Sequence, residues 1–172
     1  MAGGIGDQAR YFYDLAIRHE DMHVEALTYM RQTLAYAPPQ GLGNSQRPRA
    51  GALSGDVVVP GGRWRLGSTQ EEGFIFDNEK WAHEAVLAPF RIARAPVTNQ
   101  EFAAFIEAGG YRTREFWSDA GWTWRQERKA ERPVYWQEKR DGVWSARRYR
   151  SPEELAPHQP VCLLYTSDAA DE

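Results

Sequence analysis

The stretch from Asp7 to Pro39 reads DQARYFYDLAIRHEDMHVEALTYMRQTLAYAPP, and its apolar spacing decides how the chain begins to fold. Phe12, Ala16, His19, His23, Leu27, Met30 and Leu34 recur at intervals of four and three, which places them on one face of an α-helix. The spacing predicts a single helix from Asp7 to Ala37. Pro38 and Pro39 are expected to stop it, because proline lacks the N–H a helix needs and biases its predecessor towards extended backbone. A lone helix cannot bury its own stripe, so this face is expected to pack in a helical bundle or dock onto the rest of the chain. Little chain precedes Asp7, and the expectation is that upstream helices lie outside the sequence.

Beyond the helix, Pro38 to Gly55 is rich in Pro, Gly, Ser, Asn and Gln and reads as a linker or long surface loop. From Asp56 the pattern changes. Val57-Val58-Val59 and Arg63-Trp64-Arg65-Leu66, on either side of Pro60-Gly61-Gly62, read as short strands around a turn, and Ala85 to Ile92 as a further strand. Thr98-Asn99-Gln100-Glu101 is a capping box opening a helix, with Val97 and Phe102 at the staple positions. Phe102, Phe105 and Ile106 supply its apolar face and Gly109-Gly110 its stop. A Trp-rich helix or turn region follows around Arg114 to Arg128. After Pro133, strands at Val134-Tyr135-Trp136 and Val143-Trp144 flank a Lys139–Gly142 turn. The expected fold class is α+β.

Composition narrows the function classes. Of the 172 residues, 42% are hydrophobic and 26% charged, as in ordinary soluble proteins, and no apolar run is long enough to span a bilayer. No secretory signal pattern opens the chain, so the cytoplasm is the expected compartment. A single cysteine, Cys162, excludes an internal disulfide framework. The segment Cys162–Glu172 resembles the translation of a transposase-adapter sequence from short-read library preparation, so residues 162–172 are expected to be foreign to the protein. Without Asp168, Asp171 and Glu172 the acidic residues equal the 21 basic ones, which gives no support to nucleic-acid binding.

The sharpest chemical signal is Arg18-His19-Glu20-Asp21-Met22-His23-Val24-Glu25. At about 100° per residue, His19 and His23 lie about 40° apart and both imidazoles can face one ion. Two imidazoles inside an apolar stripe each need a polar partner, and a metal ion satisfies both. A pair of core or interface histidines bonded to neighbouring side chains is the other reading. The same residues fit the zinc-protease pattern, with Glu20 as general base. That chemistry needs a third protein ligand downstream, and His83 and His158 lack the required spacing. Glu25, on the flank with Arg18, Met22 and Tyr29, suits a role orienting the ligands, or a solvated carboxylate paired with arginine. Phe76-Asp77-Asn78-Glu79 reads as a turn before a cation site. Trp117, Trp122 and Trp124 read as packing residues before a binding platform, and Arg147-Arg148-Tyr149-Arg150 as a solvated basic face.

Taken in order, these motifs resemble the ergothioneine-biosynthesis sulfoxide synthases. His19-x-x-x-His23-x-Glu25 is similar to the metal motif of that family's DinB-like domain. Pro60-Gly61-Gly62, Gly67-Ser68, Phe74 to Glu79, Pro96 to Asn99, Gly109-Gly110-Tyr111 and Trp117 to Trp122 resemble the opening half of its second domain, which is similar to formylglycine-generating enzymes and has a C-type-lectin-like fold. The implied organisation is the terminal helix of a truncated DinB-like domain over 1–37, a linker over 38–55, and a truncated formylglycine-generating-enzyme-like domain over 56–161.

The resemblance implies an Fe(II) enzyme that uses O2 to join a thiol, such as cysteine or γ-glutamylcysteine, to the imidazole of a histidine derivative as a sulfoxide. It implies three iron-binding histidines, with His19 and His23 matching the second and third and the first lying upstream. The catalytic tyrosine and much of the substrate pocket would lie downstream of Val161, and the chain as given would be inactive. Met22 stands where members acting on trimethylhistidine commonly carry Gln close to that substrate, and a thioether cannot replace an amide's hydrogen bonds. A selenoneine-forming subfamily with a selenol donor is a related expectation. The partners implied are small molecules, with no nucleic acid and no membrane. Three other functions remain open at this point: a lectin-like binding module without catalysis, which would use the tryptophans; a zinc metalloprotease of the His-Glu-x-x-His type; and formylglycine generation, which depends on cysteines absent from residues 1–161.

Overall fold

The computed structural model describes residues 6–41, 51–71 and 73–161. The adapter-like tail and much of the expected linker lie outside the described residues. The chain forms two compact units: Met1–Arg31 with Asp56–Ile92, and Gln32–Gly55 with Ala93–Glu172.

The first unit holds most of helix α1, Asp7–Thr33. Its apolar stripe is not buried, contrary to the expectation from spacing. No residue of α1 is buried, and Leu27, near the middle of the stripe, is 59% exposed. The half-covered residues of its first turns are instead Tyr11, Asp14 and Leu15. The helix therefore rests on a face one residue round from the stripe, and no described residue covers the stripe itself.

Four strands follow: β1 (Asp56–Val59), β2 (Gly62–Leu66), β3 (His83–Leu87) and β4 (Phe90–Ala93). The first two do not form a hairpin with each other; β1 pairs with β4, while β2 runs antiparallel to β3 from Gly62 opposite Leu87 to Leu66 opposite His83. The single strand expected over Ala85–Ile92 is two strands, broken at Ala88-Pro89. Proline has no N–H to give a ladder, so a strand reaching it must stop or restart. Gly61 fits this corner because a Cβ there would come within 2.7 Å of Pro89 Cδ.

The second unit holds α2 (Asn99–Glu107), α3 (Asp119–Arg128) and a three-stranded antiparallel sheet, β5 (Trp136–Arg140), β6 (Val143–Arg148) and β7 (Ser151–Glu154). The capping box forms as expected: Glu101 N–H donates to Thr98 Oγ1 at 3.3 Å, and Thr98 N–H donates to Glu101 Oε2 at 2.8 Å. Helix α2 ends before Gly109, which has a φ of 88°. Gly110 leaves room for the Phe105 ring, which a Cβ would overlap at 2.2 Å. The expected Trp-rich region is a 3-10 turn at Arg114–Phe116 followed by α3, whose N-cap Ser118 accepts from Gly121 N–H. The strand expected at Val134 begins only at Trp136, because Pro133 O accepts from Trp136 N–H and turns the chain first. Asp141 and Gly142, with φ of 49° and 83°, make the tight β5–β6 turn.

This unit has an aromatic core. Trp136 (6% exposed) meets Phe102 and Trp144 with ring centroids 6.0 and 5.6 Å apart, and Tyr111 meets Trp117 at 5.3 Å. Burial pushes the Tyr111 hydroxyl up to about 12, since the anion would lose its water. Buried Asn99 donates through its side chain to Ala156 O at 2.9 Å and through its backbone to Gln159 O at 2.8 Å, tying the returning chain to the start of α2.

The basic run at Arg147 is not simply a solvated face. Arg147 is part-buried and donates to Gln32 O at 2.6 Å, Tyr149 O at 2.6 Å and Thr33 O at 3.4 Å, while Gln32 returns a bond to Arg147 O at 2.8 Å. This explains why α1 stops at Thr33 and not at the expected Ala37. Gln32 O takes the guanidinium alongside a last bond from Ala35 N–H at 3.3 Å, Thr33 O takes it too, and Ala35 turns left-handed with a φ of 56°. No helix among the described residues is long and apolar enough to cross a membrane.

Candidate metal centre

His19 and His23 lie where helical periodicity puts them. Their rings face each other across one turn of α1, with centroids 4.4 Å apart and planes inclined at 60°. Two imidazoles bound side by side to one ion at about 2.1 Å, at right angles, have centroids about 4.5 Å apart. The observed separation is close to that value. Both rings are exposed, so water can satisfy either imidazole and burial does not demand a partner for them. Among the described residues no cluster of three His, Cys, Asp or Glu surrounds them. Imidazole is a good donor for iron, zinc, copper and nickel alike, and the pair alone does not choose between them.

Met22 and Glu25 are also exposed, Met22 by 54%. They flank the pair, and among the described residues neither has a hydrogen-bond or ion-pair partner. His83 opens β3 and its Nδ1 lies 3.1 Å from Trp81 O, a local backbone contact. His158 is half-buried in the returning segment.

The expected turn at Phe76–Glu79 is a 3-10 turn, in which Glu79 Oε2 accepts from Phe76 N–H at 3.1 Å. Its Asp77 carboxylate takes Lys80 Nζ at 2.7 Å and Tyr11 OH at 3.2 Å. Lys80 holds the Asp77 carboxyl below its ordinary range, and Asp77 in turn raises Lys80. Asp77 is open to water while the Lys80 side chain is only 23% exposed, and a pair with one end in water has modest weight.

Trp117 and Trp122 pack rather than form a platform. Trp117 donates to Gly110 O at 3.0 Å inside the aromatic core, and Trp122 lies between Arg114 and Arg125, whose guanidinium carbons are 5.8 and 5.4 Å from its ring.

Sequence reading missed Glu107. Its Oε1 accepts from Lys139 Nζ at 2.8 Å and Trp144 Nε1 at 2.9 Å, and the nearby lysine keeps its carboxyl below the ordinary range. Glu107 lines two surface hollows of about 250 and 460 Å³, the first also lined by Tyr111, Arg112 and Arg132. The only signal was its place in the last turn of α2, which says nothing of a partner 32 residues away. Reading also missed the contact of Tyr11 and Arg18 with Phe74; their seven-residue spacing was visible, but the ring that they meet was not.

The fold and the pair define a mixed α+β chain carrying a helix-borne histidine pair ahead of an irregular, aromatic-rich domain. Residues 43–171 match the sulfatase-modifying factor enzyme 1-like domain, and the chain belongs to that family. It is 37% identical over 157 residues to a hercynine oxygenase from Mycolicibacterium thermoresistibile, covering 90% of this chain and 34% of that protein. A hercynine oxygenase from Mycolicibacterium smegmatis is 35% identical over 158 residues, 90% of this chain and 36% of its own. A formylglycine-generating enzyme from Streptomyces coelicolor is 41% identical over 71 residues, only 41% of this chain and 22% of its own. The chain thus spans about a third of the length of the hercynine oxygenases it matches.

Proposed function

We propose that this chain is part of a non-haem Fe(II), O2-dependent sulfoxide synthase. It would join a thiol donor, or a selenol donor in the finer reading, to the imidazole carbon of a histidine derivative, as in ergothioneine or selenoneine biosynthesis. The observation that carries the reading is the reach of the likeness. A match over 90% of the chain must include part of the segment before residue 43, where the histidine pair stands, and so runs beyond the family domain. The likeness to the Streptomyces coelicolor formylglycine-generating enzyme covers only 41% of the chain, and residues 1–161 lack the cysteines that activity needs.

In this reading α1 is the last helix of a DinB-like bundle, and residues 56–161 are the first half of a domain with a C-type-lectin-like fold. His19 and His23 would hold the iron, with a third histidine from outside these residues. Iron held there would supply the redox chemistry that lets O2 react with the thiol. Overall, an S–H and an imidazole C–H are exchanged for a C–S bond; one oxygen atom ends on sulfur, and the other leaves as water with the two hydrogens. The chain's own contribution would be to present two imidazoles from one helix face. Met22, next to His23, offers an apolar thioether surface to a substrate and no hydrogen bond. The catalytic acid–base group would lie beyond Val161.

Anaerobic Fe(II) titration of the protein from its complete reading frame tests this. One equivalent is expected, with affinity lost in His19→Ala and in His23→Ala. Unaltered stoichiometry and affinity in both variants would sink the iron reading and leave a binding module without catalysis.

A further inference from the structure

The first unit contains an anchorage for α1 that the proposed function does not use. Tyr11 stacks on Phe74 with ring centroids 5.2 Å apart and planes at 20°, and Phe74 meets Phe76 edge-on at 4.9 Å. Arg18 lays its guanidinium over the other part of the same grip, 4.8 Å from the Phe74 centroid. Lys80 Nζ lies 4.6 Å from the Tyr11 ring and, with the Tyr11 hydroxyl, reaches the Asp77 carboxylate. Within the same loop Ile75 is buried.

Helix geometry shows what this grip controls. Tyr11 and Arg18 are seven residues apart, so they share a face and lie about 10 Å apart along the axis. Both contacts lie off the helix axis, so a roll of α1 would carry Tyr11 and Arg18 off the Phe74 ring, and their two-turn separation also limits tilting. His19 lies about 100° round from Arg18, and His23 about 140°. Any roll of α1 therefore swings both imidazoles together, keeping their mutual distance but changing where they point. A third ligand from elsewhere would meet the ion only at one roll angle.

We propose that the Phe74–Lys80 loop is a positioning element that fixes the roll of α1 and so aims His19 and His23 at the shared ion. This rests on the iron reading above. Phe74 is the central member, because both helix contacts converge on its ring. Asp77 and Lys80 contribute less, since the Asp77 end of their pair is open to water.

The test uses the protein from its complete reading frame, with Fe(II) alone under anaerobic conditions and Co(II) as a spectroscopic probe. Phe74→Ala should weaken Fe(II) binding about tenfold, the lower end of what loss of supporting residues behind metal ligands costs. The Co(II) visible bands should shift, because ligand directions change. Phe74→Tyr keeps the ring and should restore both readings, which a general loss of stability would not explain. Arg18→Ala, on an exposed helix face where alanine is a good helix former, should give a smaller weakening in the same direction, and serves if Phe74→Ala does not fold. Unchanged affinity and bands in Phe74→Ala and Arg18→Ala, with binding lost in His19→Ala, would overturn the positioning role and leave the iron reading standing. Full binding in His19→Ala would overturn the iron reading, and this proposal with it.

Discussion

Helices α1 and α2 are specified in opposite ways. Helix α2 has only nine residues, yet the chain marks its start with a reciprocal capping box and its end with Gly109-Gly110, and its apolar face meets Tyr111 and Trp136. Helix α1 has 27 residues and a clear apolar period, but no buried side chain. Length and periodicity make a helix probable as a local conformation; burial is what makes it stable. The short helix carries its own reasons to stay folded, whereas the long one displays a face that nothing in the described residues covers.

The largest effect should come from the core beside α2. Trp136→Ala removes a ring packed between Phe102 and Trp144 and should destabilise the second unit by about 3–5 kcal/mol. Urea denaturation followed by near-ultraviolet circular dichroism would show it as a lower midpoint. An effect below about 1 kcal/mol would mean that the core is loosely packed and the contrast with α1 is overstated. Gly110→Ala should come next. The added methyl would overlap the Phe105 ring, and overpacking of this kind costs about 1–3 kcal/mol. Phe105→Leu in the same chain should recover part of that loss by making room.

The cap of α2 offers a smaller, pH-dependent effect. Thr98→Ala should cost about 1 kcal/mol near neutral pH. The Glu101 carboxyl is held below its ordinary 4.5, first by the Thr98 backbone N–H and then by the Thr98 hydroxyl. A depressed carboxyl stabilises the fold above its unfolded value and loses that contribution as pH falls through the folded value. The gap between wild type and Thr98→Ala should therefore be full above about pH 5 and shrink as the solution is made more acid. Thermal melts at neutral pH and at a pH below 4.5 would measure it, and a gap that widens in acid would contradict the box.

Local signals were legible and distant ones were not. The capping box, the glycine stop, the Asp141-Gly142 turn and the spacing of His19 and His23 depend on residues within a few positions, and the structure has all of them. Strand pairing was misread because β1 and β2 look like a hairpin around Pro60–Gly62, whereas each pairs with a strand some 20 to 35 residues further on. A composition rule made Arg147 a solvated charge; its actual use, holding the carbonyls of Gln32 and Thr33, requires contacts across 115 residues. The candidate site was likewise half legible. Periodicity supplied the pair, but not its exposure, nor the Phe74 ring beneath Tyr11 and Arg18.

Leu27→Ala probes the other side of the comparison and should have the smallest effect. At a buried position this substitution costs about 2–5 kcal/mol through lost contacts and a cavity. Leu27 is 59% exposed, so little contact is lost, and alanine slightly favours the helix. In the 172-residue chain the change should stay within about 0.5 kcal/mol in thermal or urea unfolding. The same substitution in the protein from its complete reading frame separates two meanings of the stripe. If the stripe packs in a helical bundle there, the cost should rise to the buried range, because the leucine then fills a hole in a neighbouring helix. If the cost stays near zero in both, the period in α1 is only a surface pattern, and a DinB-like bundle around His19 and His23 is excluded.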